Sequence, residues 1–280
     1  MTTIAVTGAT GHLGGGVAHD LHRRGLELRL VVRDADRAPD LPGTEVAVAT
    51  YRDGDTMRRA LDGVGALYLV SGEESVDRLH QHRTAVRAAA EAGVERIVYT
   101  SFIGAAPDAT FTLARDHFHT EQALAATGIP FVALRNNLYA DLLPLFATDD
   151  GAIRGPAGDG RLAPVARRDV IDVSVAALLE PSVVGPIDVT GPDLLGLAEV
   201  AAVIGEVTGR AVRYVDETID EAYASRAGHG APDWQVEAWV STYVAIARGE
   251  MAVVTDTVER LTGRAATPLR DVVTGTANGR

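Results

Sequence analysis

The sequence predicts an α/β protein, a doubly wound parallel sheet followed by a smaller C-terminal α+β lobe. Three observations predict it. In the first half, short β-branched and aliphatic runs alternate with segments of helical apolar spacing, joined by brief polar links. That is the rhythm of a parallel sheet covered on both faces. Between the first run and the first helical segment stands a turn carrying Gly8, Gly11 and Gly14. After Asn136 the alternation breaks, and the rest of the chain reads mostly as helices and turns.

The first element is a strand at about 3–7. From Ile4 to Gly16 the chain reads I-A-V-T-G-A-T-G-H-L-G-G-G and opens into a helix at about 12–24, with Leu13, Val17 and Leu21 on one face. Gly8 permits the sharp turn off the strand, Gly11 lets backbone N–H groups approach a pyrophosphate, and Gly14 lets the helix lie close on the strand. The helix N-terminus, with its unpaired N–H groups and positive dipole end, then holds phosphate charge. Strand, glycine turn and helix together predict dinucleotide binding. Glycines that serve helix–strand packing alone are the alternative.

The second strand, at about 28–32, is followed by Arg33 and Asp34. An acidic residue at this place bonds the ribose hydroxyls of NAD, whereas an arginine suits the 2′-phosphate of NADP. Arg33 is the first polar residue after the strand and Arg37 lies one helical turn on, so NADP(H) is favoured. In the alternative both arginines are solvated and Asp34 makes an NAD(H) contact.

Further strands are expected at about 45–49, 66–70, 96–100 and 130–134, and helices near 54–61, 75–92 and 112–127. Gly25, Gly63, Gly93 and Gly128 are their C-terminal stops. The turn-rich segment 148–164 reads as a loop, then a helix near 168–180 and a strand at 186–190 return to the sheet. Helices at 197–208, 217–226, 232–248 and 255–261 and a short strand at 212–215 complete the chain. Residues 1–145 with about 165–191 are therefore expected to form the nucleotide-binding domain. Residues of about 146–164 with 192–280 form the smaller substrate-binding lobe.

Composition excludes several classes. The formal charge is −12 with no long basic run, which argues against nucleic acid or an anionic membrane as partner. No apolar stretch is long enough to span a bilayer, and the first strand starts at Ile4 with no basic segment before it. No targeting segment and a cytoplasmic location are expected. Cysteine is absent, which rules out disulfides and thiolate chemistry. No H-E-x-x-H pair occurs, and His80 and His82 read as solvated positions on a polar helix face, so no metal is expected. All 26 basic residues are arginine. Mechanisms that need a lysine amine are thereby excluded, including the Tyr-x-x-x-Lys pair of typical short-chain dehydrogenases.

With these residues in hand the chain resembles the NmrA-like group of atypical short-chain dehydrogenase/reductases, and within it the QorB type of NAD(P)H:quinone oxidoreductase. The resemblance rests on T-G-A-T-G-H-L-G at 7–14, V-V-R-D at 31–34, Y-T-S-F at 99–102, H-F-H-T-E-Q-A-L at 117–124, L-R-N-N-L-Y at 134–139, V-T-G-P at 189–192 and L-T-G-R-A-A-T-P-L-R-D-V at 261–272. It implies a Rossmann-type cofactor domain and, in many members, two-electron reduction of quinones. Carried over residue by residue, it implies that Gly8, Thr10, Gly11, His12, Leu13 and Gly14 wrap the pyrophosphate and Arg33 meets the adenosine phosphate. Ser71 would lie along the cofactor and Asn137 near the nicotinamide ribose. Phe102 and Tyr139 would face substrate. His117 and Glu121 stand where the family's Tyr and Lys align, which breaks the alcohol-dehydrogenase relay.

Quinone chemistry tolerates that departure, because a reduced quinone oxygen is a stabilised phenolate. Ser101 or His117 could hydrogen-bond it, and His117 could deliver a proton near neutral pH. The alternative has His117 and His119 on either side of a helix, one packed and one wet. Tyr139, Trp234 and Trp239 are candidates for an aromatic wall, with core packing the alternative for the tryptophans. No flavin is expected. The all-arginine, Ala/Val/Gly-rich composition matches a high-GC bacterial origin, where related proteins reduce polyketide quinones, some with a second protein in an oxygen-dependent hydroxylation. A redox sensor that binds dinucleotide without turnover is the rival reading. An isomerase that oxidises its substrate transiently is a third, and it lacks a clear base.

Overall fold

A computed structural model describes residues 2–278. The chain divides into two compact units. The first comprises 1–101, 116–135 and 170–187, and the second 102–115, 136–169 and 188–280.

The first unit is built on a seven-stranded sheet. Its strands are β1 (Thr3–Thr7), β2 (Leu28–Val32), β3 (Glu45–Val48), β4 (Val64–Leu69), β5 (Arg96–Phe102), β6 (Phe131–Asn136) and a last strand at Gly185–Val189, in the spatial order β3-β2-β1-β4-β5-β6-last. Ile4 pairs with Leu28 on one side of β1 and Ala66 on the other, both in parallel. The strand order therefore reverses at β1, and a crevice opens beyond the carboxyl ends of β1 and β4. Helices α1 (His12–Arg23), α2 (Gly54–Ala60), α3 (Arg78–Glu91), α4 (Thr112–Ala126) and α5 (Arg167–Leu179) connect the strands, as right-handed crossovers require. Ala5, Leu67, Leu69, Ile97 and Tyr99 from the strands pack with Met57, Ala85, Ala89 and Leu124 from the helices. The near-continuous apolar strands of a sheet covered on both faces follow from this.

In the second unit, β7 (Ala152–Gly155) pairs in parallel with a strand at Arg213–Asp216, and β8 (Arg161–Leu162) pairs antiparallel with Leu195–Gly196. Helices α6 (Leu197–Thr208), α7 (Ile219–Arg226), α8 (Asp233–Ala247), α9 (Thr257–Thr262) and α10 (Leu269–Asn278) complete it.

Two expectations are corrected here. Segment 148–164 contains β7 and β8 rather than loop alone. Ile153 pairs with Tyr214 and Leu162 with Leu195, partners too distant in the chain for local patterning to reveal. Residues 102–115 and 136–145 belong to the second unit rather than the nucleotide-binding domain, because Phe102, Ile103, Phe111 and Leu143 pack into its core with Leu197, Ile204 and Ile246. Beyond the expected helices the chain forms α10, whose Leu269 and Val273 enter the same core.

Candidate functional site

The crevice of the first unit is a cleft of about 320 Å³. The carboxyl ends of four parallel strands build its wall. Thr7, Gly8, Thr10 and Gly11 follow β1, Val31 to Arg33 end β2, Ala49 to Arg52 follow β3, and Val70 to Glu73 follow β4. Gly8 adopts φ +62, a conformation costly for any residue with a Cβ. Gly11 closes the turn, its N–H donating to the Gly8 carbonyl at 2.9 Å. A Cβ on Gly14 would overlap the Gly8 carbonyl, so the helix can approach this turn only with glycine there.

Gly11 is the N-cap of α1 and offers no side-chain cap, and no acidic residue stands in the first turn. The first bond of the helix ladder runs from Gly15 N to Gly11 O at 2.9 Å, so the N–H groups of His12, Leu13 and Gly14 have no acceptor within the helix. A Cβ at Gly11 would meet nothing closer than 3.4 Å. The cradle that a pyrophosphate needs is thus present: open space, aligned donors and the positive end of the helix dipole.

Arg33 lies on the rim of the cleft, its guanidinium 3.2 Å from the Glu73 carboxylate. Asp34 instead caps the short turn Ala35–Arg37, accepting from Asp36 N at 3.1 Å, and takes no part in the cleft lining. The residue with an acidic group for ribose is therefore turned to local structure, while the arginine faces the cleft. Arg37 is exposed and outside the lining.

Sequence reasoning missed the residues that shape the cleft. The Thr7 hydroxyl donates to Tyr68 O at 3.1 Å and accepts from Val70 N at 2.9 Å, extending the β1–β4 connection past the last ladder bond. The Tyr51 hydroxyl lies 2.6 Å from Thr7 Oγ1 and 2.7 Å from Val70 O, and burial pushes its pKa up. Tyr51 follows β3, so the rule that ligands meet strand carboxyl ends would have found it. The segment after β4 is gripped from behind: Ser71 N donates to Thr100 Oγ1 at 2.6 Å, Gly72 N to His82 Nε2 at 2.8 Å, and Arg78 Nε to Gly72 O at 3.0 Å.

His82 is fully buried, which corrects the solvated reading; His80 is exposed as expected. Because Nε2 of His82 accepts from Gly72, its proton sits on Nδ1 and points to Thr120 Oγ1 at 2.9 Å. Burial and the neighbouring Arg78 cation hold the His82 pKa at about 3.

His117 belongs to the same interior cluster. It is 5% exposed, with Nε2 3.0 Å from an Arg78 nitrogen and Nδ1 2.8 Å from the Tyr99 hydroxyl. Burial first, then Arg78 and His82, lower its pKa well below the ordinary range. The imidazole is thereby held in its neutral form near pH 7. Nearby His119 is half-buried. Ser101, 3% exposed, donates to Glu121 Oε1 at 2.6 Å, and Arg135 clamps both oxygens of that carboxylate at 3.0 and 2.6 Å. The two positions that replace the family's Tyr and Lys thus anchor helix α4 to the sheet. Ser101 retains only acceptor capacity.

The second unit holds the remaining expected residues. Asn137 is spent on the chain itself: Nδ2 donates to Met251 O at 2.9 Å and Oδ1 accepts from Leu138 N at 2.8 Å. Its neighbour Asn136 is equally buried, yet its Oδ1 has no hydrogen-bond partner among the described residues. Tyr139 lies beneath the Arg167 guanidinium, 5.6 Å from its ring centre. Phe102 meets Phe111 edge-on at 4.8 Å. Trp239, but not Trp234, lines a separate cavity. No group of His, Asp or Glu among the described residues could hold a metal ion, and no described helix is long and apolar enough to cross a membrane.

Comparison with known proteins agrees with this geometry. Residues 8–181 match the family described as NAD(P)H-binding. The chain is 32% identical to an NAD(P)H azoreductase from Xenophilus azovorans, covering 94% of each chain. It superposes with a TM-score of 0.88 on the NADPH complex of the NADPH-dependent quinone oxidoreductase from Escherichia coli, at 30% identity over 98% of this chain and 99% of that one. The Citrobacter sp. triphenylmethane reductase complexed with NADP(H) gives 0.85 at 30% identity, over 98% and 99%.

Proposed function

Since the chain belongs to the NAD(P)H-binding family, we propose that it is an NAD(P)H-dependent reductase of quinone, azo or dye-like conjugated acceptors. One observation carries the reading: the uncapped N-terminus of α1 opens, across the Gly8 turn, onto a cleft with Arg33 at its rim. The relatives that share this chain's full length reduce azo, quinone and triphenylmethane compounds by name, which supports the acceptor class.

When bound, a reduced nicotinamide supplies the hydride. The chain's own residues do the rest. N–H groups of His12, Leu13 and Gly14 bind the pyrophosphate, and Arg33 exchanges Glu73 for the 2′-phosphate, which favours NADPH over NADH. Thr7, Tyr51, Arg78 and His82 hold the wall beside the dinucleotide rigid. With acceptor and donor rings oriented, little further acid catalysis is needed, since the product oxygen or nitrogen anion is delocalised. Ser101 is an acceptor or positioning group in this reading, and water carries the final proton. Phe102 and Tyr139 remain the proposed acceptor contacts.

A narrower proposal is a polycyclic polyketide quinone, turned over together with a second protein of an oxygen-dependent hydroxylation. Only the composition supports it. The test is oxidation of NADPH, without added flavin or metal, against benzoquinones, naphthoquinones, anthraquinones and azo dyes. Turnover across the panel is expected. Tight NADPH binding with no oxidation by any acceptor would overturn the reductase and leave the sensor.

A further inference from the structure

The second unit contains its own cavity of about 500 Å³, formed between the turn after residue 140, β7, α7 and α8. That is within the roughly 300–1,000 Å³ of small-molecule pockets. Four rings line it. Phe146 tilts against Tyr243 at 6.3 Å, and His229 meets Trp239 edge-on at 6.2 Å. Such walls present flat apolar faces for stacking.

The lining also carries charge. Arg154 and Arg226 face one carboxylate, Asp150. Arg226 is a fixture: it pairs with the half-buried Glu217 at 3.1 Å, donates to Arg154 O at 2.7 Å, and stacks 5.2 Å over Tyr243. Asp150 is shared between Arg154 at 2.6 Å and Arg213 at 3.0 Å, and the hydrogen bond it accepts from the Thr148 hydroxyl holds its pKa at about 2, so it stays ionised and occupied. Arg154 is different. One terminal nitrogen serves Asp150, and among the described residues its other nitrogens have no partner. The Trp239 indole N–H likewise has none among the described residues. In a chain of net charge −12, a pocket with more cation than anion on its lining and two unspent donors selects for an anion.

The geometry points to a binding site in the second unit for a planar aromatic anion of two or three fused rings. The rings stack against Trp239 and Tyr243, and the acid group meets Arg154 and the indole N–H. The inference goes beyond the reductase reading and does not depend on it, because the site is complete within this unit and binding involves no hydride.

The test uses naphthalene-2-sulfonate, which cannot accept a hydride, and its neutral counterpart naphthalene-2-sulfonamide, with the full chain. The only two tryptophans are Trp234 and Trp239, so Trp234→Phe isolates the pocket's own fluorophore. Saturable quenching is expected in Trp234→Phe and its loss in Trp239→Phe. By calorimetry the sulfonate should bind at least about tenfold more tightly than the sulfonamide, as a charge-assisted bond implies. Arg154→Gln, a change at a partly exposed side chain, should erase that preference while leaving the thermal midpoint unchanged. Absence of binding, equal affinities of the two probes, a preference that survives Arg154→Gln, or displacement of the sulfonate by saturating NADPH would each overturn the site.

Discussion

At the scale of single residues, the cofactor site separates glycines that look alike in the sequence. Gly14 is needed because the Gly8 carbonyl leaves no room for a Cβ, whereas Gly11 has open space before it. Gly14→Ala should therefore destabilise the fold by about 1–3 kcal/mol, the cost of overpacking against an unyielding backbone, as a urea midpoint would show. Gly11→Val should melt close to the parent temperature yet lose NADPH binding, because its side chain fills the pyrophosphate cradle; normal NADPH binding by the folded variant would refute that site. Arg33 gives a third contrast. Arg33→Ala should narrow the NADPH-over-NADH preference by about 1.5–3 kcal/mol, the range for hydrogen bonds to charged groups, with fluorescence titration as the measurement. The Asp34 alternative predicts no change in that ratio. These roles were readable from residue type and position. The neutral state of His117 was not, since only its burial, with Arg78 and His82 beside it, decides it.

Among elements, the segment after β4 depends on α3 and α4 lying behind it. His82 bonds Gly72 and Thr120, and His117 bonds Tyr99 and Arg78. Unfolded, both imidazoles titrate near about 6.5; folded, His82 does so at about 3 and His117 well below its ordinary value. Between those values the unfolded chain binds more protons than the folded one. Stability is thus complete above about pH 6.5 and falls as pH drops, by about 1.4 kcal/mol per pH unit for each histidine. Urea midpoints at pH 7 and 5 should show this, and His82→Gln, which keeps an acceptor for Gly72 and cannot titrate, should flatten the slope. An identical slope in the variant would mean that His82 does not contribute. The helices and their glycine stops were legible because each is a local pattern. That α3 turns His82 inward was not legible: its polar neighbours Arg78, Gln81 and Thr84 are buried too, and a helix whose buried face is polar carries no apolar signature.

For the whole molecule, the absence of lysine bears on the reaction. A simple ketone needs an acid to meet its developing alkoxide, and here His117 is neutral while Glu121 is clamped by Arg135. Ketones should therefore be reduced with kcat/KM at least about 100-fold below that of quinones, the low end of general-acid contributions. Steady-state rates with matched quinone and ketone acceptors check this, and comparable rates would reveal a proton donor elsewhere. The sequence by itself determined the parallel sheet, the dinucleotide turn, the arginine at the end of β2 and the exclusion of thiol and lysine chemistry. All of these follow from local periodicity, from short-range geometry or from residue types that are simply missing. Only the tertiary structure decided that 102–115 and 136–145 join the second unit, that β7 pairs with a strand some sixty residues later, that Asn137 is consumed and Asn136 left with a spare oxygen, and that the positions of the lost Tyr–Lys pair became interior anchors. Each of those depends on which distant side chains come within hydrogen-bond or packing distance, and no pattern along one chain encodes that.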